Sequence, residues 1–200
     1  MTVREIVVAT GNMGKLRELR ELLAPLGIAV RSPAECGTAG LEVEETGETF
    51  EENARLKAAA YAKAAGMPAV ADDSGLAVDA LGGAPGVYSA RYGGEGHDDA
   101  WRVGYLLENL ESVPDGKRGA HFVSALAYAT PGGDGFVVRG ECEGVILRAP
   151  RGTGGFGYDP VFLYEPDGLT FSELSEARKN EVSHRGAAMR RFIEKLGELS

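Results

Sequence analysis

Apolar runs and helical spacings alternate through the first half of the chain. Glu5-Ile6-Val7-Val8-Ala9-Thr10 reads as a buried opening strand, and Leu16, Leu19, Leu22, Leu23 and Leu26 then recur with the period of a helix. Gly27 marks a helix stop before Ile28-Ala29-Val30, a second strand, so the chain opens with a βαβ unit and an α/β class. An acidic loop from Leu41 to Gly47 follows. Thr49 and Glu52 then have the spacing of a capping box, which predicts an alanine-rich helix reaching about Ala65 and stopped by Gly66. Pro68-Ala69-Val70-Ala71 predicts a strand that stops in the paired acids Asp72-Asp73 and turns at Ser74-Gly75. A Gly/Pro-rich loop from Gly82 to Gly86 leads toward a helix over about Asp98 to Leu110, with Trp101, Leu106, Leu107 and Leu110 as its anchors.

The second half changes character. Ala120 to Thr130 and Gly135 to Glu143 are β-like and joined by Pro131-Gly132-Gly133-Asp134, a hairpin signal. A glycine-rich loop from Arg151 to Gly157, a short strand from Val161 to Tyr164 and an amphipathic helix after Ser183 complete the pattern, the last with Met189, Phe192, Ile193 and Leu196 on one face. A βαβ start combined with later hairpins predicts a mixed sheet with helices packed on it, in one folding unit over residues 1–200.

Charge narrows the partners. Thirty Asp and Glu against 21 Lys and Arg give −9, the wrong sign for a general nucleic-acid or anionic-membrane binder. No apolar segment approaches the roughly 20 residues of a membrane helix. Cys36 and Cys142 lie far apart with no Cys-x-x-Cys spacing, so a reducing cytoplasm is the simplest compartment.

Five groups of residues carry candidate chemistry. Thr10-Gly11-Asn12-Met13-Gly14-Lys15 stands where a strand ends and a helix begins, a place where backbone N–H groups and a lysine converge on an anion. It lacks the Walker A spacer, and Leu16 occupies the position of the metal-binding hydroxyl; the alternative is a plain helix start capped by Asn12. Asp72 and Asp73 suit a divalent metal or a general base, or else cap a turn. Glu44 or Glu45 is a further carboxylate for a metal at Asp73, and Lys57 a phosphate contact or a solvated helical lysine. Gly152-Thr153-Gly154-Gly155-Phe156-Gly157-Tyr158-Asp159-Pro160 places flat rings beside bare backbone, fit either to stack on a base or to plug the core. Lys179 with Ser183-His184-Arg185 forms an anion or carbonyl clamp near the last helix.

Taken in order, Thr10-Gly11-Asn12-x-Gly14-Lys15-x-x-Glu18, Glu45-Thr46-Gly47-x-Thr49-Phe50-x-Glu52-Asn53-Ala54-x-x-Lys57, Ala71-Asp72-Asp73-Ser74-Gly75-Leu76, Gly86-Val87-Tyr88-Ser89-Ala90-Arg91-Tyr92, Gly154 to Pro160 and Ser183-His184-Arg185 closely resemble the inosine triphosphate pyrophosphatase family. The pattern departs at Ala177-Arg178, where that family usually has acids. The resemblance implies an elongated two-lobed α/β fold with a central twisted mixed sheet, flanking helices and a cleft between the lobes. It also implies a homodimer and Mg²⁺-dependent hydrolysis of non-canonical purine nucleoside triphosphates such as ITP, dITP and XTP to the monophosphate and pyrophosphate. By motif position, Thr10, Gly11, Asn12, Met13, Gly14, Lys15 and Lys57 would hold the triphosphate, Glu44 and Asp73 the metal, and Asp73 would accept the proton. Ser74, Phe156, Gly157, Tyr158, Asp159, Lys179, His184 and Arg185 would line the nucleotide site. A non-catalytic nucleotide sensor and a broad triphosphatase are the other classes consistent with the same residues.

Overall fold

The computed structural model describes residues 3–198. The opening βαβ unit consists of β1 (Glu5–Val8), α1 (Met13–Leu23) and β2 (Ala29–Arg31), with β1 and β2 parallel. Helix α2 (Phe50–Ala65) follows, and its expected capping box forms: Thr49 Oγ1 accepts from Glu52 N at 3.2 Å, and Glu52 Oε2 accepts from Thr49 N at 3.3 Å. Next come β3 (Ala69–Val78), α3 (Asp99–Asn109), β4 (Gly119–Ala129) and β5 (Gly135–Ile146). The chain ends with β6 (Phe162–Tyr164), β7 (Leu169–Thr170), α4 (Glu176–Val182) and α5 (His184–Glu198). The seven strands form one sheet in the order β2-β1-β3-β4-β5-β6-β7. Pairing of β1 with β2 and β3 is parallel, whereas β6 pairs antiparallel with β5 and β7, so the sheet is mixed as expected.

The chain forms two compact units. The first contains the chain through Asp73, Ser124–Gly140 and the chain from Arg185 onward. Its core joins Leu16, Leu19 and Leu23 of α1 to Ile6, Val8, Val70, Leu126 and Tyr128 of the strands and to Met189, Phe192 and Leu196 of α5. The second contains Ser74–Val123 and Glu141–His184. Leu76, Val103, Leu106, Leu110, Phe122, Tyr158, Phe162 and Phe171 fill its core. Each full Leu or Phe burial removes roughly 1.5–3 kcal/mol worth of apolar surface from water, which is what secures the periodic stripes read from the sequence.

Two local expectations are corrected, and one helix is added. Strand β3 does not stop at Asp72-Asp73; it runs on through Ser74-Gly75-Leu76 to Val78, because both acids find cationic partners and need no turn. Trp101 is not a core anchor: it is 40% exposed and stacks between His97 and Tyr105, with centroids at 3.5 and 5.2 Å, while Val103, Leu106 and Leu110 are buried. A short helix, α4, capped by Ser175 Oγ on Arg178 N at 3.2 Å, precedes the last helix.

Candidate active site

The first unit holds the anion-type turn and the paired acids. The turn Thr10–Lys15 joins β1 to α1, and its local geometry is an N-cap: Asn12 Oδ1 accepts from Gly14 N at 2.9 Å and from Lys15 N at 3.1 Å. Thr10 Oγ1 in turn accepts from Asn12 N at 3.1 Å. Capping and anion binding are compatible, since a helix N-terminus presents more N–H groups than one cap can satisfy. Gly11, Asn12 and Met13 are exposed, Met13 by 72%, and a Cβ added at Gly11 would meet nothing within 4 Å.

Successive residues of a strand face opposite ways, and this separates the two acids. Asp72 is buried in a charge network. Its Oδ2 receives Lys15 Nζ at 2.8 Å and Arg185 Nη2 at 3.3 Å, its Oδ1 receives the Ser124 hydroxyl at 2.6 Å, and Arg185 Nη1 also binds Glu18. Burial would push the Asp72 carboxyl up, but Lys15 and then Arg185 outweigh it and hold it well below the usual carboxylate range. Burial likewise opposes the charge of Arg185, and Asp72 and Glu18 overcome it, raising its pKa.

Asp73 is partnered differently. Its Oδ1 lies 3.3 Å from Lys57 Nζ, and Lys57 also donates to the Asp72 carbonyl at 3.1 Å and pairs with Glu45 Oε1 at 3.0 Å. Asp73 Oδ2 is buried with no hydrogen-bond partner. Burial raises the Asp73 pKa against the pull of Lys57 and Lys15. Lys57 feels the converse: burial lowers its pKa, but Asp73 and Glu45 prevail and raise it. Glu45 thus sits on the Lys57–Asp73 cluster, while Glu44 is exposed.

A divalent cation fits this arrangement. The orphaned buried oxygen of Asp73 is a hard, anionic donor, and Glu45, paired with the same Lys57, is a further carboxylate on this cluster. Among the described residues no group of three or more His, Cys, Asp or Glu side chains is disposed to hold a metal ion unaided. Magnesium is ordinarily held by one or two carboxylates together with water and substrate phosphates, so the donor set suits it.

The second unit holds the nucleoside-type residues. Ser74 is half-buried on β3. The glycine-rich loop wraps tightly round Asp159, whose Oδ2 accepts from Phe156 N at 2.9 Å and from Lys179 Nζ at 2.7 Å. A Cβ at Gly155 would stand 2.1 Å from that same oxygen, so glycine is required there by close approach as well as by its φ of +72°. Gly157 N donates to Asp99 Oδ2 at 2.9 Å, fastening the loop to α3. The Phe156 ring is half-buried with Lys179 Nζ 4.8 Å from its centroid. Tyr158 plugs the core: it is buried, its hydroxyl donates to Ser89 O at 2.9 Å, and burial raises its pKa. His184 is buried and stacks on Phe122 at 4.7 Å.

The structure therefore brings Lys15, Lys57, Asp73 and Glu45 into one connected set with Asp72, and Phe156, Asp159 and Lys179 into another. The cations expected to form a clamp each carry an internal carboxylate partner: Lys179 has Asp159, and Arg185 has Glu18 and Asp72. Sequence reasoning misses the roles of Asp72, Glu18 and Ser124. The signal for Ser124 is a single serine in the apolar run Phe122 to Ala129; for Glu18 it is an acid on the turn of α1 that follows Lys15. The departure at Arg178 is accounted for: its guanidinium binds Asp167 at 2.8 and 2.9 Å and Glu181 at 2.8 Å, without touching the Lys179–Asp159 pair.

Known proteins resemble the chain over nearly its whole length. It is 49% identical over 196 residues to the dITP/XTP pyrophosphatase of Shigella flexneri, covering 97% of this chain and 98% of that one. It is 52% identical over 190 residues to the dITP/XTP pyrophosphatase of Thermus thermophilus, covering 95% and 90%. Among solved structures, a HAM1 protein from Coxiella burnetii superposes with a TM-score of 0.88 at 43% identity, covering 98% and 100% of the two chains. A nucleoside-triphosphatase, or dITP/XTP pyrophosphatase, from Mycobacterium abscessus gives 0.75 at 46% identity, covering 94% and 98%. With residues 6–195 also matching the Ham1 family as a whole, the chain belongs to that family.

Proposed function

We propose that this chain hydrolyses non-canonical purine nucleoside triphosphates, dITP and XTP among them and ITP by the same chemistry, to the monophosphate and pyrophosphate, with Mg²⁺ as cofactor. The observation that carries the reading is Asp73: a buried carboxylate with one oxygen held by Lys57 and the other without a hydrogen-bond partner. Relatives of the chain that cover nearly all of it are dITP/XTP pyrophosphatases.

Asp73, with Glu44 or Glu45, would hold the metal, which supplies Lewis-acid withdrawal of charge from the phosphate oxygens. The Thr10–Lys15 turn and Lys57 bind the phosphate tail through backbone N–H groups and ammonium charge. Asp73 orients a water toward the α-phosphorus and takes its proton; a P–O bond forms to the water oxygen as the α–β bridging bond breaks, and pyrophosphate leaves. In the metal-free protein burial raises the Asp73 pKa against the pull of Lys57 and Lys15.

On the nucleoside side, Ser74, Phe156 and the backbone of Gly157, Tyr158 and Asp159 would contact the sugar and base, with Lys179, His184 and Arg185 as donors in addition to the carboxylates that Lys179 and Arg185 already bind. Hypoxanthine and xanthine offer O6 as acceptor and N1–H as donor, whereas adenine offers the reverse. A donor set built for the first pattern leaves buried groups unpaired with the second, which discriminates strongly.

No helix among the described residues is long and apolar enough to cross a membrane. We read the protein as a cytoplasmic homodimer, a reading supported by its cysteine pattern and by the family resemblance; light scattering on the purified chain tests the dimer. The activity is tested by incubating ITP, dITP, XTP, GTP and ATP with Mg²⁺ and scoring monophosphate, pyrophosphate and orthophosphate separately. The expected result is pyrophosphate from the first three and far slower turnover of GTP and ATP. Orthophosphate as the product, or equal rates on all five, would refute the reading.

A further inference from the structure

Ser124 is a completely buried residue of β4 in the first unit, set in the apolar run Phe122-Val123-Ser124-Ala125-Leu126. A buried hydroxyl is tolerated only where it is hydrogen-bonded, and packing alone would be served as well by alanine. Its hydroxyl donates to Asp72 Oδ1 at 2.6 Å. That leaves Oδ2 as the oxygen that receives both Lys15 and Arg185, at 2.8 and 3.3 Å.

The division of labour between the two oxygens has a mechanical consequence. The terminal torsion of an aspartate is broad and roughly two-fold, so a carboxylate fixed through one oxygen alone is free to rotate. With Ser124 on Oδ1 and two cations on Oδ2, the plane of the Asp72 carboxylate is set. Lys15 is a compact charge on a flexible four-carbon stem. Its ammonium is therefore placed by whatever holds Oδ2, while its backbone N–H is fixed by the Asn12 cap at the start of α1.

We infer that Ser124 is a positioning residue for the reaction: by locking the Asp72 carboxylate it holds Lys15 ready at the mouth of the anion turn. This rests on the functional reading above, in which Lys15 receives the phosphate tail. Ser124 touches no substrate itself and acts only through Asp72 and Lys15, which separates its effect from general loosening of β4.

The test is calorimetric titration of tripolyphosphate, a ligand with no base or sugar, into the full chain. Wild type is compared with Ser124→Ala, Ser124→Thr, Lys15→Ala and the double variant Lys15→Ala/Ser124→Ala. Loss of one charge-orienting hydrogen bond should weaken tripolyphosphate binding by about three- to tenfold in Ser124→Ala. Ser124→Thr, which keeps the hydroxyl, should stay within about twofold of wild type, and in the Lys15→Ala background Ser124→Ala should add less than about twofold, because the residue through which it acts is gone. In turnover of XTP, the change should fall on KM with kcat nearly unaltered. Wild-type affinity in Ser124→Ala, or the same loss in both backgrounds, overturns this inference alone. A wild-type chain that binds no tripolyphosphate overturns the functional reading with it.

Discussion

Lys57 Nζ sits 3.3 Å from Asp73 Oδ1 and 3.1 Å from the Asp72 carbonyl, so a single lysine of α2 fixes both the backbone of β3 and one of the two Asp73 oxygens. The other oxygen is buried and has no hydrogen-bond partner. One half of the carboxylate is thus structural and the other half is available to a cation or to the attacking water. Asp73→Asn keeps the shape but loses the charge and the basicity. It should lower pyrophosphate release roughly a hundredfold to ten-thousandfold, the usual worth of a general base. Nucleotide binding by calorimetry should remain measurable, and near-normal turnover in this variant would remove Asp73 from the chemistry.

Lys15 has two duties, one toward the phosphate tail and one toward Asp72. Lys15→Ala should raise KM for XTP strongly while leaving the Asp72 carboxylate dependent on Arg185 and Ser124. Removing one ionic partner of a buried carboxylate costs about 1–3 kcal/mol, which chemical denaturation would detect. A variant with unchanged stability would mean that Arg185 alone suffices for Asp72.

The neighbouring acids should respond to pH with opposite signs in the metal-free protein. Burial raises the Asp73 pKa in the folded state, so its contribution to stability is present at acid pH, below the unfolded value of about 3.9, and is lost as pH rises through the folded value. Lys15 and Arg185 depress that of Asp72 against the effect of burial, so its contribution is present above about 3.9 and is lost as pH falls through the lower folded value. Urea denaturation across pH should show Asp73→Asn more stable than wild type at neutral pH, with the gap closing in acid. Asp72→Asn should be less stable at neutral pH, and its deficit should also shrink in acid. A neutral-pH loss of stability in Asp73→Asn would contradict the assigned direction.

Two glycines of one loop separate close approach from backbone strain. Gly155 and Gly157 both have left-handed φ, +72° and +61°, but a Cβ at Gly155 would strike Asp159 Oδ2 whereas one at Gly157 would meet nothing within 4 Å. Gly157→Ala should cost about 1–2 kcal/mol from the left-handed backbone alone. Gly155→Ala should cost more and should also displace Asp159 from Lys179 and Phe156 N, raising KM for the nucleotide. Equal stability and kinetics in the two variants would mean that the Asp159 contact carries no weight.

Features decided within one turn of chain are legible in the residues themselves. The Thr49–Glu52 capping box, the Asn12 cap and the apolar stripes of α1 and α5 depend on residues three or four apart, and they appear, except that Leu26 falls beyond the end of α1 and is exposed. The passage of β3 through Asp72-Asp73 is not legible in this way. Paired acids disfavour a strand locally, and what sustains them comes from Lys15, Lys57, Ser124 and Arg185, segments far away in sequence. Trp101 misleads for a similar reason: its stack with His97 and Tyr105 on an exposed face competes with burial, and helical period does not reveal which wins. Within the candidate site, residue types and motif order single out the segments, but which acid of each pair meets a lysine is decided by tertiary packing, through the side of β3 on which each carboxylate falls.

Hydrolysis of XTP by the Mg²⁺-loaded chain in water enriched in heavy oxygen identifies the phosphorus that water attacks, because the label stays on that atom. Attack at the α-phosphorus, with Asp73 taking the proton, puts the label in the monophosphate and leaves pyrophosphate unlabelled. Label in pyrophosphate or in orthophosphate would contradict it.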